Sequence, residues 1–273
     1  MNTDLVYFLD EDIGSGDITT EVFVPEGNGK ATITCEDSAI LAGVEEAAET
    51  FSILGLSVDL LVNDGQRVKK GDEILTVSGS KKSILTAERT ALNMMMRMSG
   101  VATATNDILL ECRKTNENII IAGTRKTTPG FRKYEKKAIM LGGGHSHRYG
   151  LYDAVLIKDN HIKAAGGVEN AMKLAGTIPP GVTVEIEVEN IEDAETAAKF
   201  SPNIIMVDNQ TPKDTKVFYD TIKKINPNIL VEVSGRITKD NAKDYAKVTD
   251  IISMGALTHS VKAVHFSLNI DPL

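Results

Sequence analysis

From Asn118 onward the chain alternates short apolar runs with amphipathic stretches. IIIAG (119–123), AVLIK (154–158), VTVEIEVE (182–189), IIMVD (204–208), ILVEVSG (229–235) and DIISMG (250–255) have the length and composition of buried strands. GVENAMKLAG, IEDAETAAKF, TKVFYDTIKKI and TKDNAKDYAK, which separate the later runs, have helical spacing. Strand steps of roughly 20–35 residues with helices between them predict a parallel sheet, and this many in succession predict a closed or nearly closed α/β barrel. An open doubly wound sheet is the structural alternative.

The first hundred residues follow another rhythm. GKATITCEDSAILAG reads as strand, turn, strand, and GVEEAAETFSILG as an amphipathic helix stopped by glycine. LLVNDGQRVKKGDEILTVSG gives two apolar runs divided by Gly- and Lys-rich turns and resembles the hammerhead of biotinyl and lipoyl carrier modules, although no lysine stands alone at a hairpin tip. A helix is predicted from about Ser83, and Met94, Met95, Met96 and Met98 mark it as buried or in contact with another subunit.

Polar residues cluster where the predicted strands end. Arg125 and Lys126 follow the first, Lys158 closes the second, and Glu187, Asp208, Ser234 with Gly235, and Gly255 stand on the others. The C-terminal strand ends of an α/β barrel form its active site, so cations, acids and glycines are expected around one mouth. Glu185, Glu187 and Glu189 share one face of their strand and need partners there. Glu185 is expected in a structural salt bridge, and Glu187 beside a metal or a developing cation. Asp208 suits either a helix N-cap or the site.

Composition narrows the partners. The chain has 273 residues, 42% hydrophobic and 25% charged, which predicts a soluble globular protein with room for a barrel and a smaller domain. Its acidic start lacks the order of a signal peptide and no run approaches membrane-span length, so a cytoplasmic protein is expected. Cys35 and Cys112 form no CxxC pair and read as buried thiols. A net charge of −8 argues against a nucleic-acid surface. Yet from Thr124 to Arg148 seven cationic side chains face the single acid Glu135, a local excess of +6. Such a local cluster suits a small anion. GGGHSHRYGLYD adds glycines 142–144, which either let backbone approach a ligand or form a plain flexible loop. His145, His147 and His161 could ligate zinc, but the neighbouring cations favour an anion carrying carboxylate and phosphate groups.

TRKTTPGFRKYEKKA, GGGHSHRYGLYDAVLIKDNHI, VEIEVEN, MVDNQ, VEVSGRI and SMGALTHS, preceded by DEDIGSGDITT and AERTALN, closely resemble the quinolinate phosphoribosyltransferases, in order and through nearly the whole chain. The resemblance implies an α/β protein: an N-terminal α+β open sandwich (1–102, joined by the C-terminal segment 264–273) and an incomplete α/β barrel of the type II phosphoribosyltransferase kind (103–263). It also implies transfer of phosphoribose from 5-phosphoribosyl-1-pyrophosphate to quinolinate with loss of CO2, giving nicotinate mononucleotide and pyrophosphate, with Mg²⁺ required. A relative acting on another pyridine, or one associated with molybdate transport, is the alternative.

Carried over by position, Arg125, His147, Arg148 and Lys158 would hold the quinolinate carboxylates, with Arg89 reaching across from the second subunit of a homodimer. Lys126 and Lys158 would contact phosphate or pyrophosphate. Glu187 and Asp208 would hold the ribose hydroxyls and the Mg²⁺ region, directly or through substrate or water. Ser234, Gly235, Gly255 and His259 would hold the 5-phosphate. Within this set Lys126, Lys158, Glu187 and Asp208 are the expected catalytic residues. Ser146 stands where the family often has Asn, which bears on hydrogen bonding in the glycine loop.

Overall fold

The computed structural model describes residues 2–271. The first elements are helices α1 (Thr3–Ile13) and α2 (Ile18–Phe23), strands β1 (Asn28–Cys35) and β2 (Ala39–Ile40), helix α3 (Val44–Ile53), and strands β3 (Ser57–Leu60), β4 (Arg67–Val68) and β5 (Glu73–Ser80). The long helix α4 (Lys81–Arg113) follows. Then come β6 (Ile120–Ala122), α5 (Arg132–Leu141), β7 (Val155–Ile157), α6 (Asp159–Ala165), α7 (Val168–Ala175), β8 (Val184–Val188), α8 (Ile191–Lys199) and β9 (Ile204–Asp208). The chain ends with α9 (Pro212–Ile225), β10 (Leu230–Ser234), α10 (Ala242–Tyr245), β11 (Ile251–Ser253), α11 (Ala256–His259) and β12 (Phe266–Ile270).

Two compact units result, one running up to Ala104 and resuming at Val261, the other spanning Thr105–Ser260. The first boundary falls inside α4, where no break in helical periodicity marks it. The last two residues of the segment 264–273 lie outside the described residues.

In the first unit a four-stranded sheet has the order β12-β1-β5-β3, every neighbouring pair antiparallel. Alternation along β1 buries Ala31, Ile33 and Cys35 on one face, where they meet Phe51 of α3 and Ile84, Ala91 and Met95 of α4 in one apolar cluster. Burying a side chain such as Phe51 contributes about 1.5–3 kcal/mol. Three of the four methionines expected on a contact helix, Met94, Met95 and Met98, are buried. β12 pairs with β1 from Ala31 opposite Ile270 to Cys35 opposite Phe266, so chain from beyond the second unit completes the sheet of the first.

The second unit is built on a six-stranded sheet of order β6-β11-β10-β9-β8-β7, parallel throughout. The six predicted apolar runs each contain one of its strands. The strands pair as an incomplete barrel, with β6 and β7 at the two ends of the order. Ile186, Val188, Ile205, Val207 and Val231 pack with Ala194, Ala197, Phe218 and Ile222 of α8 and α9 to form the core on one side of the sheet. Helix α5 has no clear counterpart in the hydrophobic pattern, because Glu135 and Lys136 are among its buried residues. TKDNAKDYAK yields only the four-residue α10.

Candidate active site

A cavity of about 560 Å³ opens where the strands of the second unit end. Lys158 caps the start of α6 immediately after β7, Glu187 lies near the end of β8, and Asp208 and Ser234 close β9 and β10. Arg125 and Lys126 follow β6, while His147 and Arg148 come from the segment after α5. These residues and Gly235 line the cavity together. Gly255 and His259 stand just behind Lys126: a Cβ at Gly255 would lie 2.9 Å from Lys126 Cδ and 3.2 Å from the His259 ring. Gly255 thus lets the lysine stem pass. Arg89 belongs to the first unit and is exposed on α4.

The acids differ in their surroundings. Lys158 Nζ donates to Glu187 Oε2, so in the protein itself a lysine neighbours this acid. Burial and the Glu187 charge raise the Asp208 carboxyl above the usual carboxylate range. Asp208 does not cap α9, which takes Thr211 as its N-cap. Glu185 is 3% exposed and pairs not with a lysine but with His147, its Oε2 3.2 Å from His147 Nε2. Glu232 on β10 approaches the same nitrogen at 3.4 Å.

The alternative zinc site of His145, His147 and His161 does not assemble among the described residues. His161 Nδ1 accepts a hydrogen bond from the Lys158 N–H at the start of α6, and His145 Nδ1 accepts one from the His147 N–H. Nor do glycines 142–144 line the cavity. A Cβ at Gly144 would lie 2.9 Å from the Ile121 carbonyl, so it serves the close passage of this segment beside β6.

The +6 cluster divides in the same way. Arg125, Lys126 and Arg148 line the cavity, whereas Lys136 is fully buried and donates to the Ser146 carbonyl. Burial, with Arg132 nearby, lowers the Lys136 ammonium to about 8. Arg132 donates to Thr127 Oγ1 and to the Tyr149 carbonyl, each at 2.9 Å. Two of the cations therefore fasten the loops that present the others.

Backbone conformation also concentrates here. Four non-glycine residues among those described have positive φ, and three of them, His147, Asn209 and Arg236, line the cavity. Such conformations persist only where surrounding structure holds them. Gly235 has φ +93° with Asn209 packed against its α-carbon, so a side chain there would collide.

The chain matches two successive family models: the quinolinate phosphoribosyl transferase N-terminal domain over residues 17–99 and the C-terminal domain over residues 101–269. The chain belongs to the quinolinate phosphoribosyltransferase family. A probable nicotinate-nucleotide pyrophosphorylase (carboxylating) of Methanocaldococcus jannaschii is 40% identical over 96% of this chain and 94% of its own. The nicotinate-nucleotide pyrophosphorylase (carboxylating) of Mycobacterium leprae is 37% identical over 96% of this chain and 94% of its own. The solved nicotinate-nucleotide pyrophosphorylase of Francisella tularensis superposes with a TM-score of 0.91 at 35% identity, over 98% of this chain and 94% of that one. Among the described residues of this family member, no helix is long and apolar enough to cross a membrane.

Glu232, Asn209, Arg236 and Ser253 join the cavity without having been singled out in the sequence. For Glu232 the signal was present: an acid inside an apolar strand, as at Glu185. Asn209 and Arg236 gave none, since their positive φ is a property of the folded loops.

Proposed function

We propose that this chain transfers phosphoribose from 5-phosphoribosyl-1-pyrophosphate to quinolinate with decarboxylation, producing nicotinate mononucleotide, pyrophosphate and CO2, a step of NAD synthesis. One observation carries the reading: a single cavity holds Arg125, Lys126, Arg148 and Lys158 together with Glu187 and Asp208 at adjoining strand ends. The cations suit a dicarboxylate and a phosphorylated sugar, and the acids suit ribose hydroxyls and the positive charge that grows at C1.

Arg125, His147 and Arg148 orient the acceptor through its carboxylates. Its ring nitrogen attacks C1 of the ribose as the C1–oxygen bond to pyrophosphate breaks. Glu187, held by Lys158, stabilises the cationic sugar. The quaternised ring then accepts the electron pair left at C2 when the C2–carboxylate bond breaks, and a proton takes the place of CO2. Lys126, with Ser234, Gly235, Gly255 and His259, holds the donor's phosphates.

Mg²⁺ fits this donor set. Glu187 and Asp208, on neighbouring strands, repel one another, and these two carboxylates would suit a hard cation that binds few protein ligands and completes its shell with donor oxygens. When bound, Mg²⁺ supplies charge neutralisation on the leaving pyrophosphate.

The functional unit in this reading is a cytoplasmic homodimer in which Arg89 of one subunit completes the acceptor site of the other. The exposure of Arg89, and the exposed Leu151 and Tyr152 ahead of the edge strand β7, leave surface for such a partner. Inactive Arg89→Ala and Glu187→Gln proteins should regain activity when unfolded and refolded together, because mixed dimers contain one intact site. The reaction is tested by measuring pyrophosphate and CO2 release with Mg²⁺, the sugar donor and either quinolinate or nicotinate. Release of both products with quinolinate alone is expected. Silence from folded protein would move the function to a relative with another acceptor.

A further inference from the structure

Two glutamates share one buried counter-ion beside the cavity. Glu185 is 3% exposed and Glu232 fully buried, and His147 Nε2 lies 3.2 Å from one carboxylate and 3.4 Å from the other. The contacts are ionic, without hydrogen-bond alignment. Glu185 Oε1 and both Glu232 oxygens have no hydrogen-bond partner. Buried carboxylates left in this way are costly unless a positive charge adjoins them.

The surrounding elements supply few other charges. β9 brings Met206 to this part of the cavity and β11 brings Ser253, neither of them ionisable at neutral pH. Arg148, next along the chain, acts on Glu185, and Lys136 of α5 acts on His145, which faces the His147 backbone. The imidazole is thus the group in direct contact with both acids, and its backbone is held at φ 54°, where few side chains rest unless packing fixes them.

We propose that Glu185 and Glu232 are positioning residues that hold His147 as a permanent imidazolium, giving the cavity a fixed positive charge for an acceptor carboxylate throughout the neutral pH range. The clause about the acceptor rests on the function proposed above; the charge state does not. Burial alone would lower the imidazole's proton affinity, but contact with the two acids overcomes it and raises His147 to about 10, while burial and the Glu232 charge raise the Glu185 carboxyl above the usual carboxylate range, so that the imidazolium is what keeps this acid charged. A histidine with an ordinary proton affinity would be mostly neutral at pH 7–8 and would offer one donor and no charge. Two buried acids turn a pH-sensitive side chain into a constant one.

The first test needs no substrate. In the full-length protein carrying ¹³C-labelled histidine, the His147 resonance is identified by its loss in His147→Gln. It should keep imidazolium shifts from about pH 6 to about pH 9, while in Glu232→Gln its midpoint should drop by about 1–2 pH units. A wild-type midpoint near the ordinary histidine value would overturn the proposal, as would stoichiometric zinc retained by the purified protein and lost in His147→Gln. The second readout is kinetic. The KM for quinolinate should stay level in the wild type from about pH 6.5 to pH 8.5 and rise by up to about fourfold across that window in Glu232→Gln, with the donor KM unchanged. Matching pH profiles, or equal rises for both substrates, would show a merely structural role. Absence of any wild-type turnover would defeat the functional reading and leave the resonance titration to decide the charge state.

Discussion

Arg125, Lys126, His147 and Arg148 reach the cavity from segments outside the strands, whereas Glu185, Glu187, Asp208 and Glu232 stand on β8, β9 and β10. The acids are carried by paired backbone whose register is fixed by a neighbouring strand: Glu187 lies opposite Met206, and Asp208 opposite Ser234. The cations depend on fastening. Lys136 grips the Ser146 carbonyl, Arg132 the Tyr149 carbonyl, and Thr258 Oγ1 donates to the Lys126 carbonyl at 2.6 Å. A strand thus positions its acid through the same hydrogen bonds that build the sheet, while each cationic loop needs buried polar side chains of its own.

That difference can be put under strain, beginning with the acids. Glu187→Gln keeps the shape of a strand-borne residue and removes its charge. It should lower kcat about 10²–10³-fold with little change in stability, as checked by steady-state kinetics beside a urea melt. A comparable loss of stability would mean that the acid serves the barrel more than the reaction.

Lys136→Ala attacks the cationic side through its support. It leaves an unpartnered carbonyl and a void, costing about 2–4 kcal/mol in urea unfolding, and the quinolinate KM should rise although the residue touches no substrate. Arg148→Ala removes a cation that faces the cavity and should weaken quinolinate binding by about 1.5–3 kcal/mol while leaving donor binding nearly intact. Equal losses for both ligands in binding titrations would contradict that division. Lys216→Ala breaks an exposed pair with Asp220 one helical turn along α9 and should change stability by less than about 0.5 kcal/mol.

The legibility of the two sides follows from the same physics. An acid in an apolar run is conspicuous, because burial is costly, and Glu185 and Glu187 stood out for that reason. Glu232 carries the same signal in ILVEVSG, where it lies two residues before the polar strand end. The cations of 124–148 were legible as charge but not as destinations: sequence alone could not separate Arg148, which lines the cavity, from Lys136, which lies in the interior. Local propensity also missed α5, whose buried Glu135 accepts from the N–H and hydroxyl of Thr128 and so looks polar where it is core.

By itself the sequence determined the strands of the second unit and its helices α7, α8 and α9, the rhythm of the first unit, and the gathering of acids, cations and glycines at strand ends, since these follow from periodicity and parallel topology. The ordered motifs determined the family. Tertiary structure alone decided that His147 would meet two carboxylates and that Lys136 and Arg132 would fasten loops. Those outcomes depend on residues far apart in the chain meeting in a low-dielectric interior, where a charge is defined by what is packed against it.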